Sequence, residues 1–375
     1  MAIRNPVPLA TFSLAYNFEA FLRNIRPSSE RREAAKKYPG VVRAFLDRTR
    51  LLQTIEPHSR LTGSYGRHIA IHEIKDVDLV CVLALIYRQW SPVQALKDLK
   101  SALDGLADEL SDQLGSRPDV DLREQRRSVR VHFVEPDFFL DVVPVLAPEG
   151  ILGILEVPDR EWQNWQPTAC VAYGEEFARM NQNECNEHLV PLMKTVKHWR
   201  SQWLRRDQAK SFWLEAMVIG LIRRGKIVFT DRAFADIVAQ TFFAIENECT
   251  PTLAIPTMTP TLPDPIIPER NPNVAWNWER GAFESFMRRI AETTAKLEKA
   301  LEAESAAAAI VAWKSILGAD WFPADITNIA DGISKAAFAG TTLVGTTGRV
   351  YSTPPEPDVR TARPQPNRFH GDRSA

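Results

Sequence analysis

The stretch LTGSYGRHIAIHEIKDVDLV, residues 61–80, decides how the rest of the chain is read. It opens on a small-residue turn, Gly63-Ser64-Tyr65-Gly66, and runs on to Asp76 and Asp78 in a D-V-D pattern. The continuation Val77-Asp78-Leu79-Val80-Cys81-Val82-Leu83 is β-branched and apolar, which predicts a buried strand. Alternation along that strand puts Asp76 and Asp78 on one face and Val77 on the other. Outward from it, residues 127–134 (RSVRVHFV) alternate with Val129, Val131 and Phe133 on one face. The turn Glu135-Pro136-Asp137 follows, then residues 138–145 (FFLDVVPV) form a second apolar strand with Asp141 at its centre.

Three carboxylates in apolar strands need a counter-charge, because buried like charges repel and raise each other's pKa. Mg²⁺ is the usual partner: it takes hard oxygen ligands and leaves room for phosphate oxygens and water, and Mn²⁺ could stand in for it. Two such ions about 3.5–4 Å apart can hold the attacking and leaving oxygens of an in-line phosphoryl displacement. D-x-D by itself is common and often only caps a turn. The order of a Gly-Ser turn, then D-x-D, then a lone Asp on a later strand is more specific. Backbone N–H groups and a hydroxyl at Gly63 and Ser64 can cradle phosphates. Asp76, Asp78 and Asp141 are thus the expected catalytic and metal-binding residues, with Gly63 and Ser64 on the nucleotide.

Around this centre the pattern is helical. Residues 11–26 and 31–54 place apolar side chains at helical spacing, as do 91–114, 184–205, 211–224 and 279–304. Pro251 to Pro272 is proline-rich without useful periodicity, and is expected to lie across the helical lobe. From Gly345 the chain is rich in Pro, Arg, Thr and Gly and reads as disordered.

Composition sets the class. A 375-residue chain that is 45% hydrophobic and 25% charged can bury two packed lobes. With 46 basic against 47 acidic residues it is not a globally basic nucleic-acid binder, though a local basic groove would not show in the net charge. No apolar run is long enough to span a bilayer, and Met1 to Pro8 lacks the pattern of a signal peptide. Cys81, Cys170, Cys185 and Cys249 include no C-x-x-C pair. Cys185 and His188 have ligand-like spacing but no second pair to complete a zinc site. A reducing, cytoplasmic setting is expected.

Residues 61–80 resemble the signature of the polymerase-β-like nucleotidyltransferases, and within them the cGAS/DncV-like group related to oligoadenylate synthases. Three later segments carry the narrower resemblance. Leu192-Met193-Lys194-Thr195-Val196-Lys197-His198-Trp199 is similar to the family's L-x-K-x-W helix, implying a triphosphate contact for Lys197. Lys210-Ser211-Phe212-Trp213-Leu214-Glu215 resembles its K-S-[YF]-x-L-E helix start, implying a phosphate contact for Ser211 and base stacking for Phe212. Pro263 to Asn271 looks like its D-P-x-x-P-x-N segment. On the residues alone, Lys197 reads first as a solvated helix residue and Phe212 as a core residue. Arg67 could reach phosphate or only solvate its turn. His68 and His72 read as loop residues.

The resemblance implies an α+β, bilobal nucleotidyltransferase fold with a mixed β-sheet catalytic lobe and a helical lobe. The expected division is N-terminal helices over 1–58, a catalytic lobe over 59–170, a helical lobe over 171–344 and a disordered tail over 345–375. The implied activity is synthesis of a cyclic oligonucleotide second messenger from nucleoside triphosphates, ATP among them, in anti-phage defence, with a downstream effector reached through the product. The exposed tail end, Arg373-Ser374-Ala375, would suit an ancillary regulatory protein. The chain has no counterpart of the animal sensor's zinc-ribbon insert, so activation by long duplex DNA is not expected. Two rivals stand beside this reading: a superfamily enzyme that modifies RNA or protein, and a non-catalytic nucleotide-binding module.

Overall fold

The computed structural model describes residues 14–72, 76–122, 125–205, 209–230 and 232–324, and the short strands at 343–345, 350–351 and 361–362. It divides into two compact units. One holds Arg26–Arg179 with Asp264–Pro272; the other holds Met1–Ile25, Met180–Pro263 and Asn273–Ala375.

The first unit is built on a mixed sheet. Strands β1 (Thr54–Thr62), β2 (Asp76–Leu83), β3 (Asp119–Asp121), β4 (Val129–Phe133) and β5 (Phe138–Leu146) lie in the order β1-β2-β5-β4-β3. Only β2 and β5 are parallel; β6 (Leu155–Asp159) continues from β5 and pairs with β7 (Asn164–Thr168). On one face Val77, Leu79, Cys81, Val129, Val131, Leu140 and Val142 pack into the core. Two helices cover that face, α2 (Ser29–Arg48) and α4 (Pro92–Leu114), with a single helical turn α3 (Gly63–Gly66) between them in the chain.

Local sequence explains these helices. The Ser28 hydroxyl caps α2 by accepting the N–H of Arg31 at 3.2 Å. Ser91 caps α4 with Pro92 in its first turn, and Gly115 closes it at φ 69°. Along α4, Leu96, Leu99, Leu103, Leu106 and Leu110 recur at helical spacing and are buried. From α2, Tyr38 stacks on Phe133 at 3.8 Å and its hydroxyl donates to the Glu135 carbonyl at 2.8 Å.

The second unit is helical: α1 (Ala15–Asn24), α6 (Leu189–Trp203), α7 (Ser211–Arg223), α8 (Phe234–Leu253), α9 (Arg280–Leu301) and α10 (Ala306–Leu317). The helix α5 (Cys170–Asn183) runs through the boundary between the units. At the centre, α6 packs against α1, α7, α8 and α10. Its Trp199 is fully buried, lies 4.9 Å from Phe242, and donates its indole N–H to Thr293 Oγ1 at 2.9 Å. Phe18 of α1 packs edge-on against Trp313 and Phe322.

The α+β fold with a mixed sheet agrees with expectation, and so do the two strands bearing the carboxylates. Several details differ. The helix expected over 31–54 stops at Arg48, and Thr54–Thr62 forms an edge strand instead. The N-terminal helices do not form an element of their own over 1–58: α1 counts with the helical unit and α2 with the sheet unit. The proline-rich stretch is divided as well, since Asp264–Pro272 counts with the sheet unit. There the Asp264 carboxylate accepts the N–H groups of Ile266 and Ile267 at 2.9 and 3.2 Å, which ties the turn. Beyond residue 345 most of the expected tail lies outside the described residues. The part described, β9 (Val350–Tyr351) and β10 (Thr361–Ala362), pairs with β8 (Leu343–Gly345) as a small antiparallel sheet.

Candidate active site

The register of the sheet assembles the site. Asp78 pairs with Asp141 across the parallel β2–β5 ladder, and Asp141 pairs with Arg130 across β5–β4. The same row continues to Thr62 on β1 and Asp121 on β3. Thr62, Asp78, Asp141, Arg130 and Asp121 thus form one polar row across five strands, on the face opposite the core. Asp76 lies two residues before Asp78 on the same face, in the next row with Phe139, His132 and Asp119. The sequence-predicted carboxylates are therefore brought onto one face at neighbouring positions.

The turn before β2 closes against them. Gly63 has φ +65°, and a Cβ built there would stand 1.8 Å from Asp78 Oδ2. Only a residue without a side chain admits the carboxylate so close to the backbone. Ser64 follows in the half-buried turn α3. Beside it, Thr62 donates its hydroxyl to the Cys170 carbonyl at 3.2 Å. Burial pushes the Cys170 thiol up, hydrogen bonds with Thr62 and Thr168 pull it down, and the negative charge of Asp78 raises it again. Arg67 is buried with its guanidinium 4.7 Å over the Tyr173 ring, so it is not a solvated turn residue. His68 is exposed at φ 60° and His72 sits in a turn, both in the loop where they were expected.

Arg130 is the site residue that the sequence reading missed. Its Nε donates to Asp141 Oδ1 at 2.8 Å and its Nη2 to Asp141 Oδ2 at 2.7 Å, while Nη2 lies 3.5 Å from Asp76 Oδ2. The Asp141 side chain is 11% exposed and that of Asp76 51%. The fork is a bidentate, charge-assisted pair, the strongest form of such contact. Its signal was present in residues 127–134: alternation that buries Val129 and Val131 sends Arg130 and His132 to the carboxylate face. His132 stacks on Phe139 at 4.3 Å and bonds to Asp137 through Nε2 at 2.8 Å.

This arrangement bears on the expected metal ions. Carboxylate oxygens are the right donors for Mg²⁺. Yet among the described residues no three His, Cys, Asp or Glu side chains converge closely enough to hold a metal ion. Arg130 already supplies the positive charge at Asp141, and Asp78 turns toward Gly63. As described, the three carboxylates do not converge on one point while Arg130 engages Asp141.

Lys197, Ser211 and Phe212 belong to the helical unit and not to the carboxylate sheet. Lys197 lies on α6 and is almost wholly buried, so it is not a solvated helix residue. Ser211 and Phe212 form the half-buried first turn of α7, after Lys210 in extended conformation, and Glu215 is buried one turn on. Among the described residues Cys185 and His188 belong to no group of three or more possible metal ligands, and His188 stacks on Phe234 at 5.9 Å. Among the described residues no helix is long and apolar enough to cross a membrane.

A mixed sheet carrying carboxylates on paired strands behind a Gly-Ser turn defines a nucleotidyltransferase fold. Residues 12–181 match the model of the Second Messenger Oligonucleotide or Dinucleotide Synthetase domain. Over those residues the chain is similar to the second-messenger synthetase domain, in line with the expected cGAS/DncV-like resemblance. Solved structures share its fold. CdnC of E. coli MS115-1 with ATP superposes at a TM-score of 0.62 with 15% identity, covering 85% of this chain and 100% of that one. CdnG of Bradyrhizobium diazoefficiens, in complex with GTP, gives 0.61 and 14%, covering 82% and 96%. The Vibrio cholerae dinucleotide cyclase DncV gives 0.53 and 12%, covering 81% and 85%. Among curated proteins none matches the chain in sequence.

Proposed function

We propose that the protein joins nucleoside triphosphates into a cyclic oligonucleotide. A ribose hydroxyl of one nucleotide attacks the α-phosphate of the next, pyrophosphate leaves, and a final intramolecular attack closes the ring. The observation that carries this reading is the register pairing of Asp78 with Asp141, with Gly63 closed against Asp78, in a domain of the second-messenger synthetase family. ATP is among the proposed substrates, since the fold is shared with a structure holding ATP and another holding GTP.

The roles follow from residue chemistry. The Gly63–Ser64 turn offers N–H and O–H donors to the β- and γ-phosphates. Lys197 supplies a point charge and Ser211 a hydroxyl to the triphosphate, and Phe212 gives the base a stacking surface. Asp76, Asp78 and Asp141 are the proposed ligands of divalent ions, Mg²⁺ with Mn²⁺ as substitute, once Asp141 is released from Arg130. Such ions would neutralise the charge gathered around the triphosphate.

In the cell, the proposed setting is cytoplasmic anti-phage defence, where the product would activate a downstream effector. A regulatory protein partner is part of the proposal: a structure of E. coli CdnC is a complex with HORMA. The chain end beyond residue 345 is the proposed place for such a partner to act.

One observation favours a second reading, a module that binds nucleotide without turning it over: Asp141 is neutralised by Arg130 in the described arrangement. Purified protein incubated with labelled triphosphates and Mg²⁺ separates the two. Phosphatase-resistant labelled product supports cyclisation. Nucleotide bound but unchanged supports the module, and label transferred to added RNA or protein supports a different superfamily activity.

A further inference from the structure

We propose that Arg130 is a built-in cation that holds Asp141 in place of a divalent ion, and that ion binding requires it to let go. This deepens the functional reading above and rests on it. The geometry leaves little room for both. The guanidinium engages both oxygens of Asp141, at 2.8 and 2.7 Å, and reaches Asp76 at 3.5 Å. A divalent ion bound directly to the same oxygens would face a full positive charge within hydrogen-bond distance, in a site where Asp141 is nearly dry. Each cation therefore excludes the other from Asp141.

The row of residues explains why the chain carries an arginine here. Asp78 and Asp141 are direct cross-strand partners, and like charges so placed destabilise a sheet. Arg130 on the next strand sets a positive charge beside that pair in the absence of any ion. The released guanidinium also has somewhere to go. Phe139 presents its ring 5.2 Å from the Arg130 guanidinium carbon, and Asp121 is Arg130's register partner on β3, across from Asp141. The side chain thus stands between two carboxylates on its own row.

Such an internal competitor sets the ion concentration at which the site fills. When only a fraction of molecules has Asp141 free, the apparent dissociation constant rises by the inverse of that fraction; a site closed nine-tenths of the time binds about tenfold more weakly. Removing the competitor should restore that factor.

The test measures Mn²⁺ binding to the full chain without nucleotide, by the paramagnetic resonance signal of free Mn²⁺. Arg130→Gln should bind Mn²⁺ about tenfold more tightly than the unaltered protein. Arg130→Lys, which keeps the charge but loses the fork, should fall between. The gain should vanish when Asp141→Asn is added to Arg130→Gln. Binding by Arg130→Gln that is unchanged or weaker would overturn the proposal and make Arg130 a support that orients Asp141. Should Arg130→Gln fail to fold, Arg130→Lys decides by the same rule, tighter for and equal or weaker against. Product assays run in parallel keep the two readings apart. Tighter Mn²⁺ binding without product from any variant retains the competitor and removes the synthase. Product with no change in Mn²⁺ affinity does the reverse.

Discussion

Gly63→Ala is the substitution on which the site geometry can be tried most directly. The new Cβ would stand 1.8 Å from Asp78 Oδ2 and 2.8 Å from its Cγ. Real Cβ contacts essentially never fall under 3.0 Å, so the carboxylate oxygen must retreat by about 1.2 Å, the difference of those values. The backbone at φ +65° adds a left-handed penalty of about 1–2 kcal/mol for a residue with a side chain. Stability therefore falls by about 1–2 kcal/mol out of a typical domain's roughly 5–15, and the protein stays folded. Activity should suffer far more, because a misplacement of roughly 1 Å in a reacting centre can cost about 10²-fold. Urea denaturation and turnover of labelled triphosphate, measured on the same preparation, give the two numbers. Turnover within a few-fold of the unaltered protein would refute the claim that Asp78 is held against Gly63 for catalysis. So would an activity loss no larger than the loss of folded protein.

Other perturbations read other parts of the structure. Asp76→Asn with Asp78→Asn should take turnover below detection while leaving cooperative unfolding intact; comparable product yield would end the mechanism. Asp141→Asn should cost about 1–3 kcal/mol in chemical denaturation, because it strips the charge from Arg130's principal partner. Asp76→Asn, at a half-exposed side chain, should stay within about 0.5 kcal/mol. Away from the site, Asp159 is fully buried: burial pushes its carboxyl up, but bonds from Arg126, the Trp162 N–H and Arg127 outweigh this and hold it at about 2. A lowered folded-state pKa stabilises above the unfolded value and is lost as pH falls, here between about pH 4 and pH 2. Asp159→Asn should therefore cost about 2 kcal/mol at pH 7, with the difference from the unaltered protein closing toward pH 2 in acid-denaturation curves. Burial pushes the thiols of Cys81, Cys185 and Cys249 up to about 12, so iodoacetamide at pH 8 should leave all three unlabelled in native protein and label them in urea.

The parts of the fold that the sequence displayed are those where one period dominates. Val77 to Leu83 and Phe138 to Val145 are apolar runs broken only by their aspartates, and both are strands. Pro92 to Leu114 has a cap, a leading proline and a closing glycine, and is a helix to the residue at its end. The edge strand Thr54–Thr62 escaped notice because its alternation is weak: His58, Arg60 and Pro57 interrupt it, and only Ser59 and Thr62 are buried. The helix Phe234–Leu253 and the helix Ala306–Leu317 were passed over for the opposite reason, since continuous apolar or alanine-rich sequence gives little contrast between faces. Arg130 was hidden differently. The alternation of residues 127–134 gives its face, but the cross-strand register that sets an arginine beside Asp141 is a long-range property. Lys197, Ser211 and Phe212 are singled out by a resemblance and not by periodicity, which leaves each of them an ordinary helix residue.

The carboxylate face also shows how a sheet can carry charges that repel. Along β2 and β5 the same face changes character partway. Asp76, Asp78 and Asp141 occupy its first half, while Val80, Val82 and Val145 in its second half pack with Leu155, Val157 and Val171 into a small buried cluster. Pairing is continuous through both halves, from Asp76↔Phe139 to Leu83↔Leu146. Each strand's opposite face is buried in the main core as well. Fully burying a valine is worth about 1.5–3 kcal/mol, so the apolar half fixes the strands with energy to spare against the repulsion in the polar half. The carboxylates cannot move apart by sliding a strand, because a one-residue slip would turn the core residues outward. A counter-charge brought to the row relieves the repulsion. Among the described residues Arg130 brings such a charge to Asp141, and any ligand that gathers cations over the same face must contend with it.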